Sequence, residues 1–163
     1  KADVIVTLGG ASVGDHDLIG GLIAEGDRAF WKIAMRPGKP LLFGRSAAAP
    51  LLGLPGNPVS SFVCGALFMQ TALRALLGRT PAAPALIDAR LAARLPAGGR
   101  RETYMRAQYA PTPDGGRGVQ AVERQDSAQF RALVDADALI RLPIDAPPQP
   151  AGAPVAILPL DFD

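Results

Sequence analysis

The chain has 163 residues, of which 48% are hydrophobic and 20% are charged, and this balance is typical of a soluble globular protein with one domain or two small ones. The net charge is only +2 and the basic residues are scattered without interleaved aromatics, so the sequence argues against a nucleic-acid partner. No continuous apolar run reaches the roughly 18 residues of a membrane span, and the single cysteine, Cys64, has no partner for an intrachain disulfide, so we expect a cytoplasmic protein.

A predicted buried strand and a glycine-rich loop come first in the chain. The run DVIVTL at residues 3–8 is mostly apolar and β-branched, which is typical of a parallel strand covered on both faces. The loop GGASVG at residues 9–14 follows, and its glycines allow a ligand to approach the backbone N–H groups. The spacing does not match a dinucleotide-binding fingerprint. We therefore expect a ligand loop of another type at the carboxyl end of this strand.

Two carboxylates, Asp15 and Asp17, lie between this loop and a predicted amphipathic helix that ends near Gly26. Helix capping and a favourable interaction with the helix dipole account for one of them. Carboxylates on a glycine-rich loop are also typical ligands of Mg²⁺, which often uses one or two of them together with substrate phosphates. Both interpretations stay open from the residues alone.

Residues 30–35 (FWKIAM) predict a second strand, and residues 41–43 and 50–52 predict two more. The turn RPGKP at residues 36–40 places Arg36 and Lys39 on either side of a Pro-Gly pair. Two cations held in fixed directions suit charge-assisted hydrogen bonding to an oxyanion. The alternative is a solvated turn with two basic residues.

The strongest helix signal begins at GLPGNPVS, residues 53–60. Asn57 is a preferred N-cap residue, and Pro58 suits the first helical position. Apolar residues recur from Val59 to Leu77 at the three-or-four spacing of one buried face, and Gly78 ends the pattern. The start of such a helix carries unpaired N–H groups and the positive end of the helix dipole, so it favours a phosphate or another oxyanion beside Gly56, Asn57 and Ser60. An ordinary Pro/Gly turn into a helix is the alternative.

The composition changes after Gly78. Five short apolar runs, separated by Gly/Pro/Asp clusters, follow at residues 85–93, 103–109, 119–122, 138–142 and 155–160. This is the pattern of a small antiparallel barrel or sandwich. We therefore predict an α/β half-domain with a mostly parallel sheet over residues 1–79 and a small all-β barrel-like domain over residues 80–163.

The segments GGASVGDHD, WKIAMRPGKP and GLPGNPVSSF occur in this order before a β domain that contains RETYMR, QDS and ADALIRLP. In these motifs the chain resembles the carboxyl-terminal part of the molybdopterin molybdotransferase family, which includes the gephyrin E domain. The resemblance covers nearly the whole chain. It is carried most specifically by GLPGNPVS in combination with GGxSVGxxD.

This resemblance implies a transferase that accepts adenylylated molybdopterin and molybdate, cleaves the adenylyl group with Mg²⁺ and places molybdenum on the dithiolene. It implies that Asp17 is catalytic and holds the metal. Lys39 and Ser60 would form a molybdate pocket with Arg101, for which Arg100 is the alternative, and Ser127. The full set of implied substrate-binding residues is Gly9, Gly10, Ser12, Gly14, Arg36, Lys39, Pro55, Gly56, Asn57, Pro58, Ser60, Arg101 and Ser127.

Two hypotheses of different classes follow. The first is a cytoplasmic molybdotransferase that acts as a homodimer and shares its site with segments outside this chain, as the resemblance implies. The second is a non-catalytic module that binds an anion or scaffolds a partner. Turnover by the full-length protein distinguishes the two.

Overall fold

The computed structural model describes residues 2–10, 19, 23–123, 125 and 131–160, and it divides the chain into two units, residues 1–84 and 85–163. The strands of the first unit are β1 (Ile5–Leu8), β2 (Arg28–Trp31), β3 (Met35–Arg36), β4 (Leu42–Arg45) and β5 (Pro50–Leu54). A 3-10 turn at Glu25–Asp27 precedes β2. Most of the helix predicted before Gly26 lies outside the described residues.

The sheet of the first unit has the strand order β1-β5-β4-β2. β1 pairs with β5 in parallel, whereas β4 is antiparallel to both β5 and β2. The prediction of a mostly parallel sheet is therefore wrong for the described strands, since the sheet is mixed. Only residues 46–49 separate β4 from β5. A connection this short makes a hairpin, because a parallel crossover needs a dozen or more residues.

The second strand ends earlier than its sequence predicts. We expected one strand over residues 30–35, but β2 runs from Arg28 to Trp31. Lys32 then takes a positive φ of 68°, which turns the chain out of the extended conformation. The side chain of Trp31 packs against a core cluster formed by Ile23, Leu42 and Leu51.

The predicted long helix is confirmed, with a change of hydrogen-bonding pattern in its middle. It comprises α1 (Pro58–Cys64), a π-helical segment (Gly65–Met69) and α2 (Gln70–Leu76). At its end, the N–H of Gly78 donates to Ala75 O at 3.0 Å, and the N–H of Arg79 donates to Arg74 O at 2.9 Å. This is a Schellman end, and Gly78 has the positive φ of 69° that it requires.

The apolar face of this helix is buried only along its first half. Val59, Val63 and Cys64 are buried, but α2 contains no buried residue, and Leu73, Leu76 and Leu77 are 44%, 52% and 71% exposed. The prediction of one continuous buried face is therefore wrong for the last two turns. By length and composition alone, the helix Pro58–Leu76 is long and apolar enough to cross a membrane, a property that the core helices of soluble proteins share.

The second unit contains β6 (Ile87–Arg90), β7 (Glu102–Pro111), β8 (Arg117–Ala121), β9 (Ala138–Leu142), β10 (Pro154–Pro159) and a short helix, α3 (Arg131–Val134). The five predicted strand segments are thus confirmed. They pair antiparallel in the order β8-β7-β9-β10-β6. Leu91, just after β6, bridges to Val119 in β8, and the N–H of Ala92 donates to Val119 O at 2.8 Å. The sheet therefore closes into a small barrel.

Inward-facing side chains fill this barrel. The buried members of its core are Leu91, Leu95, Ala107, Val119, Ala138, Ile140, Val155 and Ile157. They alternate along the strands with outward-facing residues, as the two-residue period of a strand requires. The interior is packed by these side chains.

Candidate functional site

The glycine loop and the GLPGNP segment meet at one edge of the first sheet. β1 and β5 run parallel and finish side by side, with Leu8 opposite Leu54. The N–H of Gly9 donates to Leu54 O at 2.9 Å, and a Cβ added to Gly56 would lie 3.3 Å from the Cα of Gly9. Gly9 also has a positive φ of 79°. Two predicted site residues, Gly9 and Gly56, are therefore in close backbone contact at the carboxyl ends of parallel strands, where open α/β sheets bind ligands.

Gly10, the next residue of the loop, accepts one described hydrogen bond. The N–H of Ile19 donates to Gly10 O at 3.4 Å. The predicted site residues Ser12, Gly14 and Asp17, which lie between these two positions, fall outside the described residues. Ser127 of the second unit does so as well. The roles of these four residues stay predictions.

The start of α1 has the predicted cap, and the cap uses two of the predicted ligands. Asn57 Oδ1 accepts the backbone N–H of Ser60 at 3.1 Å and the Ser60 hydroxyl at 3.4 Å. Ser60 itself is buried, with 7% of its surface exposed. The neighbouring Ser61 donates its hydroxyl to Pro55 O. The side chains of Asn57 and Ser60 therefore shape the helix start in this conformation, and Ser61, which sequence reasoning missed, fixes the preceding turn.

The capping leaves few donors for a ligand at this helix start. Pro58 has no N–H, and the N–H of Ser61 bonds to Asn57 O at 2.8 Å. Within the described part of the chain, the N–H of Val59 is the first-turn donor for which no partner is found. A bound oxyanion would meet this N–H and the positive end of the helix dipole.

The RPGKP turn packs against the same helix. A Cβ added to Gly38, whose φ is 108°, would overlap Cys64 Sγ and lie 2.8 Å from the Cε of Met35. Cys64 is the last residue of α1, six residues after Pro58. At 1.5 Å per residue the contact lies about 9 Å along the axis from the first helical residue. The absence of a side chain at Gly38 thus seats the turn on α1, away from its very start.

The two cations of this turn face solvent. Arg36 and Lys39 are exposed, and a cis peptide bond joins Arg36 to Pro37. The carbonyl oxygen of Lys39 accepts two backbone bonds, from Ile33 N–H at 3.1 Å and from Leu41 N–H at 3.0 Å. The backbone of Lys39 is therefore held at two points while its ammonium group is accessible.

Trp31 adds a feature that the sequence reasoning missed. Lys32 Nζ lies 4.7 Å from the centroid of the Trp31 ring, and the guanidinium carbon of Arg28 lies 5.1 Å from it. Residues 28–39 contain four basic residues and no acidic one. Such a segment produces a local positive potential that favours an anionic ligand.

In the second unit, the predicted ligand Arg101 is exposed and immediately precedes β7. Glu102 next to it accepts two hydrogen bonds from Arg141, at 3.0 Å from Nε and 2.7 Å from Nη2, and one from the Tyr104 hydroxyl at 2.9 Å. The bond from Arg141 holds the pKa of Glu102 below its usual value. Burial, with a smaller effect of Glu102, raises the pKa of Tyr104 to about 12. This cluster ties the first residues of β7 to β9.

Metal ligation receives no support from the described residues. They contain no group of three or more His, Cys, Asp or Glu side chains that could hold an ion. The predicted Mg²⁺ ligand, Asp17, lies outside them. Cys64 is buried, and this burial raises the pKa of its thiol to about 12, so it is a packing residue rather than a nucleophile.

Comparison with protein families gives one match for each unit. Residues 1–75 match the family described as "Probable molybdopterin binding domain". Residues 88–160 match the family described as "MoeA C-terminal region (domain IV)". Together the two matches account for nearly all of the chain.

Individual relatives agree with these matches. The chain is 34% identical over 163 residues to a molybdopterin molybdenumtransferase of Haemophilus influenzae, covering 99% of this chain and 40% of the relative. It is 30% identical to the molybdenum cofactor synthesis protein cinnamon of Drosophila melanogaster, covering 98% of this chain and 28% of that protein. A molybdopterin biosynthesis protein from Pyrococcus horikoshii has a solved structure that superposes with a TM-score of 0.75 at 26% identity, over 97% of this chain and 37% of its own. The chain thus spans less than half the length of these proteins.

Proposed function

Because the chain belongs to the molybdopterin molybdenumtransferase family, we propose that it contributes to the transfer of molybdenum to molybdopterin in the synthesis of the molybdenum cofactor. The proposed activity is that of the full-length protein, since the chain spans only 40% of the Haemophilus influenzae relative. The observation that carries the proposal is the contact of Gly9 with Gly56 at the carboxyl ends of β1 and β5, beside the start of α1. This arrangement favours a phosphorylated or oxyanionic ligand.

The pterin nucleotide is proposed to bind along the glycine loop. Gly9 and Gly10 are half-buried at the end of β1, and both have a positive φ, of 79° and 73°. The N–H of Gly9 is already bonded to Leu54 O, so Gly9 would allow close approach, and the phosphate contacts are proposed for the N–H groups that follow it. Ser12 and Gly14 belong to this proposal through the family resemblance. The backbone N–H groups of such a loop recognise phosphate oxygens without requiring a side chain.

Molybdate is proposed as the oxyanion substrate at the turn that packs on α1. Lys39 presents an exposed ammonium group on a backbone held by two hydrogen bonds, and Arg36 adds a second cation to the same turn. Charge-assisted hydrogen bonds of this kind are stronger than neutral ones and suit an oxyanion. Arg101 and Ser127 are proposed as further molybdate ligands from the resemblance alone, as are a cytoplasmic location and a homodimer.

Mg²⁺ is proposed to bind at Asp17, together with substrate phosphates, since one carboxylate with phosphate oxygens is a common ligand set for this ion. When bound, the ion would supply charge neutralisation for cleavage of the adenylyl group. We expect Mn²⁺, as a paramagnetic substitute, to bind the full-length protein in the presence of the substrate and to bind more weakly in Asp17→Asn. Equal Mn²⁺ affinity of the two proteins, measured by electron paramagnetic resonance, would remove Asp17 from the metal site.

The proposed activity is tested by incubating the full-length protein with adenylylated molybdopterin and molybdate. We expect release of AMP and formation of active cofactor, with Asp17→Asn slower by at least about a hundredfold. Wild-type turnover in Asp17→Asn would remove this residue from the mechanism. Oxyanion binding by the wild type without any turnover would instead favour the non-catalytic anion-binding module.

A further inference from the structure

Lys32 has an unusual backbone beside the turn that carries Lys39. Its φ of 68° lies in the left-handed region, which residues other than glycine, asparagine and aspartate rarely occupy. A residue held there persists when its surroundings determine the conformation, and such residues concentrate at functional sites. The described contacts of Lys32 show what holds it.

Two contacts fix Lys32 in this conformation. Its N–H donates to Leu41 O at 2.9 Å, across the base of the turn. Its ammonium group lies 4.7 Å from the centroid of the Trp31 ring, within the range of a cation–π interaction. Trp31 is itself packed against the core of the first unit, so the ring that the Lys32 ammonium group contacts is held in place.

The chain reversal at Lys32 determines how the turn closes. It allows the next N–H, that of Ile33, to reach Lys39 O at 3.1 Å. The same oxygen accepts the N–H of Leu41 at 3.0 Å. The two ends of the turn therefore meet at the carbonyl group of Lys39, and the backbone that carries its ammonium group depends on the conformation of Lys32.

We infer that Lys32 is a positioning residue for oxyanion binding: its left-handed backbone closes the turn on Lys39 O and so aims the Lys39 ammonium group at the substrate. The inference rests on the proposed function, in which Lys39 contacts molybdate. The ammonium group of Lys32 contacts the Trp31 ring and is not proposed as a ligand of the oxyanion. Beyond its share of the local positive potential, the contribution of Lys32 is therefore conformational.

The test compares substitutions that remove the same charge but differ in their tolerance of the left-handed region. Molybdate affinity of the full-length protein is measured by isothermal titration calorimetry. We expect Lys32→Asn and Lys32→Gly to stay within about twofold of the wild type, because both residues adopt positive φ readily. Lys32→Val should bind about tenfold more weakly, since a β-branched residue is a genuine outlier there. Lys32→Ala, a milder change, should lie between them and serves if the valine variant does not fold.

A double-mutant cycle separates this role from a general loss of stability. We expect Lys39→Ala to weaken molybdate binding, and Lys32→Val to cause no further loss in the Lys39→Ala background, because the two residues act through one contact. Equal weakening by Asn, Gly and Val, or wild-type affinity of Lys32→Val, would overturn the positioning role. Unchanged affinity in Lys39→Ala would instead overturn the proposed oxyanion site, and the positioning role with it.

Discussion

Gly38 shows how a single residue without a side chain sets the geometry of the candidate site. Its backbone lies where a Cβ would overlap Cys64 Sγ, and this contact seats the turn with Arg36 and Lys39 on α1. The sequence indicates a glycine in a turn at this point. It does not indicate which residue approaches the glycine, because Cys64 is distant in the chain and the contact exists only in the folded unit.

Gly38→Ala should therefore destabilise the protein more than an alanine at another glycine with positive φ. We expect the free energy of unfolding to fall by about 2–4 kcal/mol, from overpacking against Cys64 and Met35 combined with a strained φ. Gly78→Ala is the matched control, because its φ is 69° but no atom lies within 4 Å of the added Cβ, so only the cost of the conformation applies, about 1 kcal/mol. Urea denaturation measures both, and equal losses would refute the packing role of Gly38.

The thiol of Cys64 should be unreactive in the folded protein. Burial raises its pKa from 9.0 to about 12, so the folded state keeps its proton where the unfolded state loses it. The associated stability is present below about pH 9 and is lost as the pH rises towards 12. We expect no reaction with a disulfide reagent at pH 8 until urea unfolds the chain. Rapid labelling of the native protein would contradict the buried position.

The N-cap of α1 should affect both the stability of the protein and the binding of an oxyanion at the helix start. Asn57 Oδ1 accepts the N–H and the hydroxyl of Ser60. We expect Asn57→Ala to lower the free energy of unfolding by about 1 kcal/mol, and Asn57→Asp to preserve it because the carboxylate also caps. The aspartate should nevertheless weaken molybdate binding several-fold by repulsion. Calorimetry on both variants tests this, and wild-type affinity in Asn57→Asp would place the oxyanion away from the helix start.

The pair of Glu102 on β7 and Arg141 on β9 should make the stability of the second unit depend on pH in the acid range. The hydrogen bonds from Arg141 lower the pKa of Glu102 from 4.5, so their contribution to stability is present above pH 4.5 and is lost as the pH falls below it. We expect the melting temperature of Glu102→Gln to depend less steeply on pH in this range than that of the wild type. The same substitution at the exposed Glu123 serves as control. Identical slopes in Glu102→Gln and the wild type would show that the pair is unimportant.

Elements whose signals are local were predicted well from the sequence. The cap at Asn57, the stop at Gly78 and the five strands of the barrel follow from spacing and turn residues within a few positions. The direction of β4, the exposure of Leu73 on α2 and the early end of β2 could not be predicted in this way. Each depends on which element lies alongside, and the spacing of apolar residues carries no information on that partner.

For the whole molecule, the net charge of +2 conceals an uneven distribution. Residues 28–39 carry four basic and no acidic residues, and the structure brings their turn onto the helix whose start faces the glycine loop. Composition argues against a polyanionic partner, but it gives no indication of a local anion site. That site depends on the folding of the first unit around α1.

The position of the bound oxyanion can be observed in a crystal. Crystals of the full-length protein are soaked in tungstate, a heavy analogue of molybdate, and the anomalous scattering of tungsten is mapped. We expect a tungsten peak close enough to Lys39 for an oxygen of the tungstate to accept a hydrogen bond from Lys39 Nζ, and we expect this peak to be lost in Lys39→Ala. A peak that persists in Lys39→Ala, or one far from both Lys39 and the start of α1, would contradict this expectation.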